Sequence, residues 1–287
     1  MGHATSPQAP SRAPADPAHS AAREDARWCA CGHTGGVEIR LDGGNTGGAV
    51  RVGDTVRRAA GQWTPTVHAL LAHLADKGFV GSPRPLGFDA QGREVLTFLA
   101  GETVGSARPW PGWVYAEDTL VQVARWVRSF HLAVADFVPP AGAVWRMGGQ
   151  WAPGLIVGHN DAAPYNAVWR DGRLAGFFDW DMAGPVPVAW DVAFAAFSWV
   201  PLHARHVVAR EGFTDFEGRP RRLHLFLAEY GWTNSMPALL EVVGARIQAH
   251  VTSLRDLAAH DPLFARIVAQ GGADDLETAL AELEHFA

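Results

Sequence analysis

The sequence predicts an α+β fold of two lobes: a small antiparallel sheet with one helix, then a larger, mainly helical lobe. Three observations carry this. Short runs of alternating apolar residues crowd the first hundred positions, and apolar residues recur at helical spacing from Asp118 onward. In addition, 48% of the 287 residues are hydrophobic, enough to build a sizeable core.

The elements follow in chain order. Residues 1–32 are rich in Pro and Ala, lack apolar periodicity and read as a flexible tail. Within them Cys29 and Cys31, with His33 close behind, have no fourth ligand at zinc-site spacing, so a free, reduced pair is the simpler reading. The sheet lobe is expected over 33–100. There "VEIRL" (37–41), "AVRV" (49–52) and "TVRR" (55–58) alternate as strands, and Gly53-Asp54 is a two-residue hairpin turn. "DGGNTGG" (42–48) joins the first two. Thr64 as N-cap, Pro65 at the first helical position and Gly78 beyond the end bracket a helix. "GREVLTFLAGE" (92–102) holds one more buried strand. The helical lobe is expected over 101–287. Leu120, Val123, Val127, Phe130 and Val134 share a face, and further helices are expected at 190–199, 220–230 (stopped by Gly231), 237–258 and 273–286. Inside this lobe "NAVWR" and "GFFDW" flank a turn at 171–173 and read as a hairpin.

Charge and hydropathy narrow the function classes. Residues 1–100 carry ten basic and nine acidic side chains, leaving fourteen and twenty-one for 101–287, a net of −7 there. A nucleic-acid binder shows a basic stripe instead, so no nucleic-acid partner is expected. The acidic half suits a cationic small molecule, although diffuse surface acidity explains it as simply. No run approaches eighteen apolar residues and no apolar segment of a secretory signal is seen at the N-terminus. The expectation is a cytoplasmic protein without a membrane partner.

The chemistry concentrates in "GHNDAAPYNAVW" (158–169) and "FFDWD" (177–181). His159, Asp161 and Asn166 enter the hairpin, and Asp179 lies on its return strand, where it can meet Asn166. Two hard oxygens of this kind hold Mg²⁺ when phosphates and water complete the shell, and a nearby aspartate can take a proton from an attacking hydroxyl. Asx residues in turns bond their own backbone just as readily, which accounts for an isolated D-x4-N. Asp179 is harder to dismiss, because a charge among Phe177, Phe178 and Trp180 is costly unless paired or metal-bound.

Together, "HNDAAPYN" and "FFDWDMAG" resemble the His-Gly-Asp-(four residues)-Asn and Ile-Asp-Trp-Asp signatures of the aminoglycoside phosphotransferase family, bacterial small-molecule kinases of protein-kinase-like fold. The resemblance spans roughly 37–230. It implies Asp161 as catalytic base and Asn166 and Asp179 as Mg²⁺ ligands, with Asn160 in place of the usual Gly. It implies a phosphate loop at Gly43, Gly44, Gly47 and Gly48, whose backbone N–H groups can approach anionic oxygens. ATP would set its adenine edge on the backbone near Val95, Thr97 and Phe98. The third-strand cation would be Arg57, with Arg58 on the other face. Lysine is not available, since Lys77 is the single lysine of the chain. The pattern departs in one place: the helix that usually supplies a glutamate to that cation has no acid between Pro65 and Ala75. His159 and Asp191 resemble residues that brace the catalytic loop, Asp181 one that orders the metal loop, and His131 reads as a packing residue. Trp110, Trp113, Trp145 and Trp151 are core or cleft candidates.

The expected function is ATP-dependent phosphorylation of a hydroxyl on a small molecule, aminoglycoside-like or another alcohol. The alternative is a nucleotide-binding, pseudokinase-like or immunity module that sequesters a toxin with little or no catalysis. The missing helix acid favours the second; the complete Asp161, Asn166 and Asp179 set favours the first.

Overall fold

Alternation of apolar residues over a pleated surface lays down the first lobe in the computed structural model, which describes residues 1–2, 37–41, 48–105 and 107–286. Strands β1 (Ile39–Arg40), β2 (Val50–Val52) and β3 (Thr55–Arg58) run antiparallel, and the Gly53-Asp54 turn pairs Val52 with Thr55. Helix α1 (Thr64–Asp76) follows, then β4 (Pro85–Phe88) and β5 (Glu94–Thr97), giving a five-stranded sheet of order β1-β2-β3-β5-β4. Two strands therefore occupy the region where one was expected; Pro85 and Gly87 give β4 the look of a turn in sequence. Thr64 is the first helical residue rather than the cap: Trp63 takes the cap position, and Thr64 Oγ1 accepts the Gly61 N–H at 2.9 Å. Leu70, Leu71 and Leu74 of α1 are fully buried, and the helix packs against β4 and the long helix of the second lobe.

That second lobe begins with α2 (Glu117–Val134). Its buried stripe of Leu120, Val123, Val127, Phe130 and Val134 keeps helical spacing. Strand β6 (Ile156–Gly158), hairpin strands β7 (Ala167–Arg170) and β8 (Arg173–Phe177), and β9 (Gly184–Val186) come next; β6 pairs with β9, and β7 with β8. The rest of the lobe is built from α3 (Val188–Trp199), α4 (Arg205–Arg210), α5 (Arg219–Tyr230), α6 (Met236–Ala258), α7 (Pro262–Ala269) and α8 (Gly272–Leu283). Gly231 ends α5 in a left-handed conformation, φ +82°, as its position in the sequence implied. The expected helices are present with ends shifted by no more than three residues; β6, β9, α4 and α7 are too short or too irregular in pattern to be read beforehand. The fold is α+β, two-lobed and kinase-like. Val37–Ala287 forms one compact unit. The reading of 1–32 as a tail, with Cys29, Cys31 and His33, concerns residues that, Met1 and Gly2 apart, lie outside the described ones. Among the described residues no helix is long and apolar enough to cross a membrane.

The core runs unbroken beneath the two motifs. Trp126 of α2 stacks on Phe130 at 5.3 Å, meets Phe177 at 4.5 Å and Phe79 at 5.5 Å, and its indole N–H donates to Gly81 O at 3.3 Å. One side chain thus touches α2, β8 and the chain entering β4. Replacing it with alanine is expected to cost about 3–5 kcal/mol. Urea unfolding of Trp126→Ala measures this, and a loss well below that range would show that the neighbouring rings collapse into the gap.

Candidate functional site

Strand β6 delivers the chain to the first motif at a point where only glycine fits, since a Cβ on Gly158 would lie 2.8 Å from Asp191 Cγ. Asp191, at the start of α3, accepts the Asn160 N–H (2.7 Å) and the His159 N–H (3.3 Å). His131 Nε2 lies 2.9 Å from Asp191, and its Nδ1 lies 2.9 Å from the Tyr230 hydroxyl. Burial works against the Asp191 charge, but the His131 hydrogen bond and charge, with Arg246 and the Asn160 N–H, outweigh it and lower its pKa. His131 is thus more than the packing residue its helical position suggested. Asn160 has φ +62°, the left-handed region that Gly enters without strain and that Asn tolerates next best. Its side-chain amide donates to Met182 O and Gly184 O at 3.2 and 3.3 Å, tying this loop to the second motif. From α6, Arg246 donates to Asn160 O (2.9 Å) and Trp190 O (3.1 Å). Burial lowers its pKa to about 10, against the pull of Asp191 and Asp161.

Held this way, Asp161 is half-buried with both carboxylate oxygens engaged. Oδ1 accepts the Tyr165 hydroxyl at 2.7 Å and Oδ2 accepts the Asn166 amide at 2.8 Å. Burial pushes its pKa up to about 7, with Asp179 adding to the rise, while the bonds from Tyr165 and Asn166 hold it down. The hairpin brings the second motif alongside: Ala167 pairs with Phe177, and the Phe178 N–H donates to Asn166 O at 3.0 Å. Asp179 itself is left-handed, φ +58°. Such a conformation costs about 1–3 kcal/mol and persists only where the surroundings enforce it.

What enforces it is an arginine, and it is Arg58 rather than Arg57. Arg58 Nη1 reaches Asp179 Oδ1 at 2.9 Å, Nη2 reaches Asp181 Oδ1 at 2.5 Å, and Nε reaches Glu94 Oε1 at 2.5 Å. Burial opposes its charge, but Asp181, Glu94 and Asp179 raise its pKa well above the ordinary value. Arg57 points to the opposite face of the sheet, 3.8 Å from Asp89. The reason is strand phase. Val56 faces Leu96 across β3 and β5, and Arg57 faces Val95. Arg58 pairs with Glu94, so it shares the inner face with the buried Leu96. The acid missing from α1 is supplied by β5: Glu94 is 1% exposed and also accepts His68 of α1 at 3.1 Å. Asp181, 10% exposed at its side chain, takes a second cation, Arg146, at 3.0 Å. Strand alternation and an acid inside the apolar run "EVLTFL" were the available signals for Arg58 and Glu94; nothing in the sequence pattern marked Tyr165, Arg146 or Arg246.

The remaining candidates divide. Gly43, Gly44 and Gly47 lie outside the described residues, while Gly48 leads into β2 with φ +86°. Val95 and Thr97 face the Arg57 side of the sheet, and the amides of Thr97 and Phe98 already donate to Arg84 O (3.0 Å) and Asp54 O (2.8 Å). An adenine edge cannot use those two N–H groups, so the segment after Phe98 is the better candidate. Trp110 and Trp145 are core residues, and Trp113 packs on Trp169 at 4.9 Å. Among the described residues no three His, Cys, Asp or Glu side chains form a ready cage for a metal. Asn166 Oδ1, with its amide turned to Asp161, and the carboxylate of Asp179 instead fit a dication that takes few protein oxygens and completes its shell with phosphate and water.

A model described as the phosphotransferase enzyme family matches residues 118–226, across both motifs. The trifolitoxin immunity protein of Rhizobium leguminosarum bv. trifolii is 36% identical over 199 residues, 68% of this chain and 74% of that protein. The chain belongs to the phosphotransferase enzyme family. It is the family whose signatures the two motifs resemble. Among solved structures, an amicoumacin kinase in complex with AMP-PNP, Ca²⁺ and Ami aligns with TM-score 0.61 and 11% identity over 87% of this chain and 88% of that one. The macrolide 2'-phosphotransferase of Brachybacterium faecium aligns with TM-score 0.52 and 16% identity over 86% and 91%. Both share the fold of this chain.

Beneath the site, His159 is fully buried against Trp180, with ring centroids 4.4 Å apart, and its Nδ1 accepts the Asp161 N–H at 3.3 Å. Burial lowers its pKa to about 4 from an ordinary 6.5, against the pull of Asp191 and Asp179. The unfolded chain therefore binds the proton first. The stability contributed by neutral His159 is complete above pH 6.5 and is lost as pH falls through 4, up to about 3 kcal/mol. Chemical denaturation from pH 7.5 to 4.5 is expected to show a steeper acid decline in the wild type than in His159→Asn. Equal slopes would mean that the ring does not stay neutral in the folded state.

Proposed function

We propose that this chain is an ATP-dependent phosphotransferase that phosphorylates a hydroxyl of a small molecule. The observation that carries the reading is the grouping at the open end of the hairpin: Asn166 bonds Asp161, the Phe178 N–H bonds Asn166 O, the Asp179 charge acts on Asp161, and the Arg58–Glu94 pair reaches Asp179 from the sheet. Family membership supports the reaction class, and the AMP-PNP and Ca²⁺ bound to a protein of the same fold support a nucleotide and a divalent metal.

Each residue then has a task. Arg58, anchored by Glu94, offers the donor phosphates a planar, permanently charged fork. Asn166 and Asp179 would hold Mg²⁺, which supplies charge neutralisation for the transferring phosphoryl group. Were Asp179 to hold a dication, Arg58 Nη1, now 2.9 Å from its Oδ1, would be free to face the donor phosphates. Asp161 accepts the hydrogen bond of the acceptor hydroxyl and takes its proton as the oxygen attacks the γ-phosphorus and ADP departs. Catalysis rests on positioning and on fixed charge, without a covalent enzyme intermediate. The acidic second half of the chain suits a cationic acceptor. No role for nucleic acid or a membrane enters this reading, and the site as described needs only cytoplasmic ATP and Mg²⁺.

A second reading has its own support. The relative at 36% identity is named an immunity protein, and Arg58 closes directly onto Asp179, so the carboxylate assigned to the metal is already paired with a cation. The two readings separate by turnover. Mg·ATP consumption against a panel of hydroxylated amines and hydroxyl-bearing peptides is expected to be acceptor-dependent. Asp161→Asn should lower it by about 10²–10⁴-fold while leaving nucleotide affinity within a few-fold. Tight nucleotide binding with no turnover on any acceptor would favour the sequestering reading, and absence of nucleotide binding would contradict both.

A further inference from the structure

The hydroxyl that an acceptor would present to Asp161 is already there, and it belongs to the chain. Tyr165 donates to Asp161 Oδ1 at 2.7 Å, and Asn166 fills Oδ2, so the phenol holds the carboxylate oxygen that an incoming alcohol needs. Tyr165 sits in a short 3-10 turn, Pro164–Asn166, immediately before the candidate metal ligand. The residue is 47% exposed and stacks on no other aromatic ring among the described residues, yet its polar end turns inward to the carboxylate. A large aromatic side chain left at the surface is not there for core packing. The other two tyrosines of the chain are committed elsewhere: the Tyr230 hydroxyl lies against His131, and the Tyr115 ring packs on Phe213 at 5.2 Å.

We propose that Tyr165 is an internal phosphoryl acceptor, which the chain phosphorylates in cis from Mg·ATP when no external alcohol occupies the site. This rests on the phosphotransferase reading above. The phenolic oxygen forms a bond to the γ-phosphorus, the bond from that phosphorus to the β-phosphate bridging oxygen breaks, and ADP leaves with the electron pair. The phenolic proton passes to Asp161 Oδ1 and on to solvent. A productive external acceptor displaces the phenol, so self-modification and transfer to the acceptor compete for one carboxylate oxygen.

The test incubates the full chain with Mg·ATP without acceptor and maps phosphate by peptide mass spectrometry. Phosphate on Tyr165 is expected, with a rate per chain independent of protein concentration. It should be absent from Tyr165→Phe and reduced at least about 100-fold in Asp161→Asn. In nucleotide-free protein, thermal unfolding of Tyr165→Phe, Asp161→Ala and the double variant reads the bond without any turnover; non-additive shifts are expected. No phosphate on Tyr165, or phosphate only on other residues, overturns the inference. Nucleotide binding and hydrolysis measured in parallel tell whether the phosphotransferase reading falls with it: if ATP is consumed and Tyr165 stays unmodified, only the inference fails.

Discussion

The site depends on one buried guanidinium. Arg58 leaves β3, passes Glu94 on the neighbouring strand and ends on Asp179 and Asp181, so a single side chain fastens the sheet to the loop beyond β8. Glu94 is almost wholly buried, and a carboxylate so placed is tolerable only with its partner; breaking such a pair typically costs about 3–5 kcal/mol. Arginine suits this task where lysine does not. Its fork reaches three carboxylates in fixed directions, whereas an ammonium on a flexible stem is a single point charge. The arrangement also explains how the fold dispenses with an acid in α1. The helix contributes His68 to Glu94 instead, so α1 still senses the pair through one hydrogen bond.

Around the two motifs, geometry is held by backbone strain and the groups that oppose it. Asn160 and Asp179 both sit in the left-handed region, one on each motif. Asp191, Arg246 and the Asn160 side chain close around the first, and Arg58 holds the second. Because Asn160 also bonds Met182 O, movement of either motif disturbs the other. Trp126, Phe177, Trp180 and His159 pack together beneath the motifs, and burial there pushes the Asp161 carboxyl up to about 7.

Much of this was legible in the sequence, for identifiable reasons. Periodicity located the sheet, α2 and the principal helices, and the hairpin expected between the motifs forms, with the Phe178 N–H on Asn166 O and the Asn166 amide on Asp161. What failed was phase. "TVRR" offers two adjacent arginines, and only the pairing of Val56 with Leu96 and of Arg58 with Glu94 decides which faces inward. The family pattern places the acid on the helix and so does not point to Glu94, although an acid in an apolar strand already demands a partner. Tyr165, Arg146 and Arg246 reach the site through tertiary structure alone: Arg146 comes from the irregular segment after α2, and Arg246 from a helix some eighty positions beyond the loop it braces. No local pattern encodes such contacts.

The central claim is that Arg58, oriented by Glu94, anchors the donor phosphates. Calorimetric titration of Mg·AMP-PNP into the wild type, Arg58→Ala, Arg57→Ala and Glu94→Gln tests it most directly, with circular dichroism to show that each variant is folded. The account predicts that Arg58→Ala weakens binding by about 10–100-fold, in line with the loss of a charge-assisted bond to phosphate, that Glu94→Gln weakens it less, and that Arg57→Ala leaves it unchanged. Weakened binding in Arg57→Ala with none in a folded Arg58→Ala would contradict it.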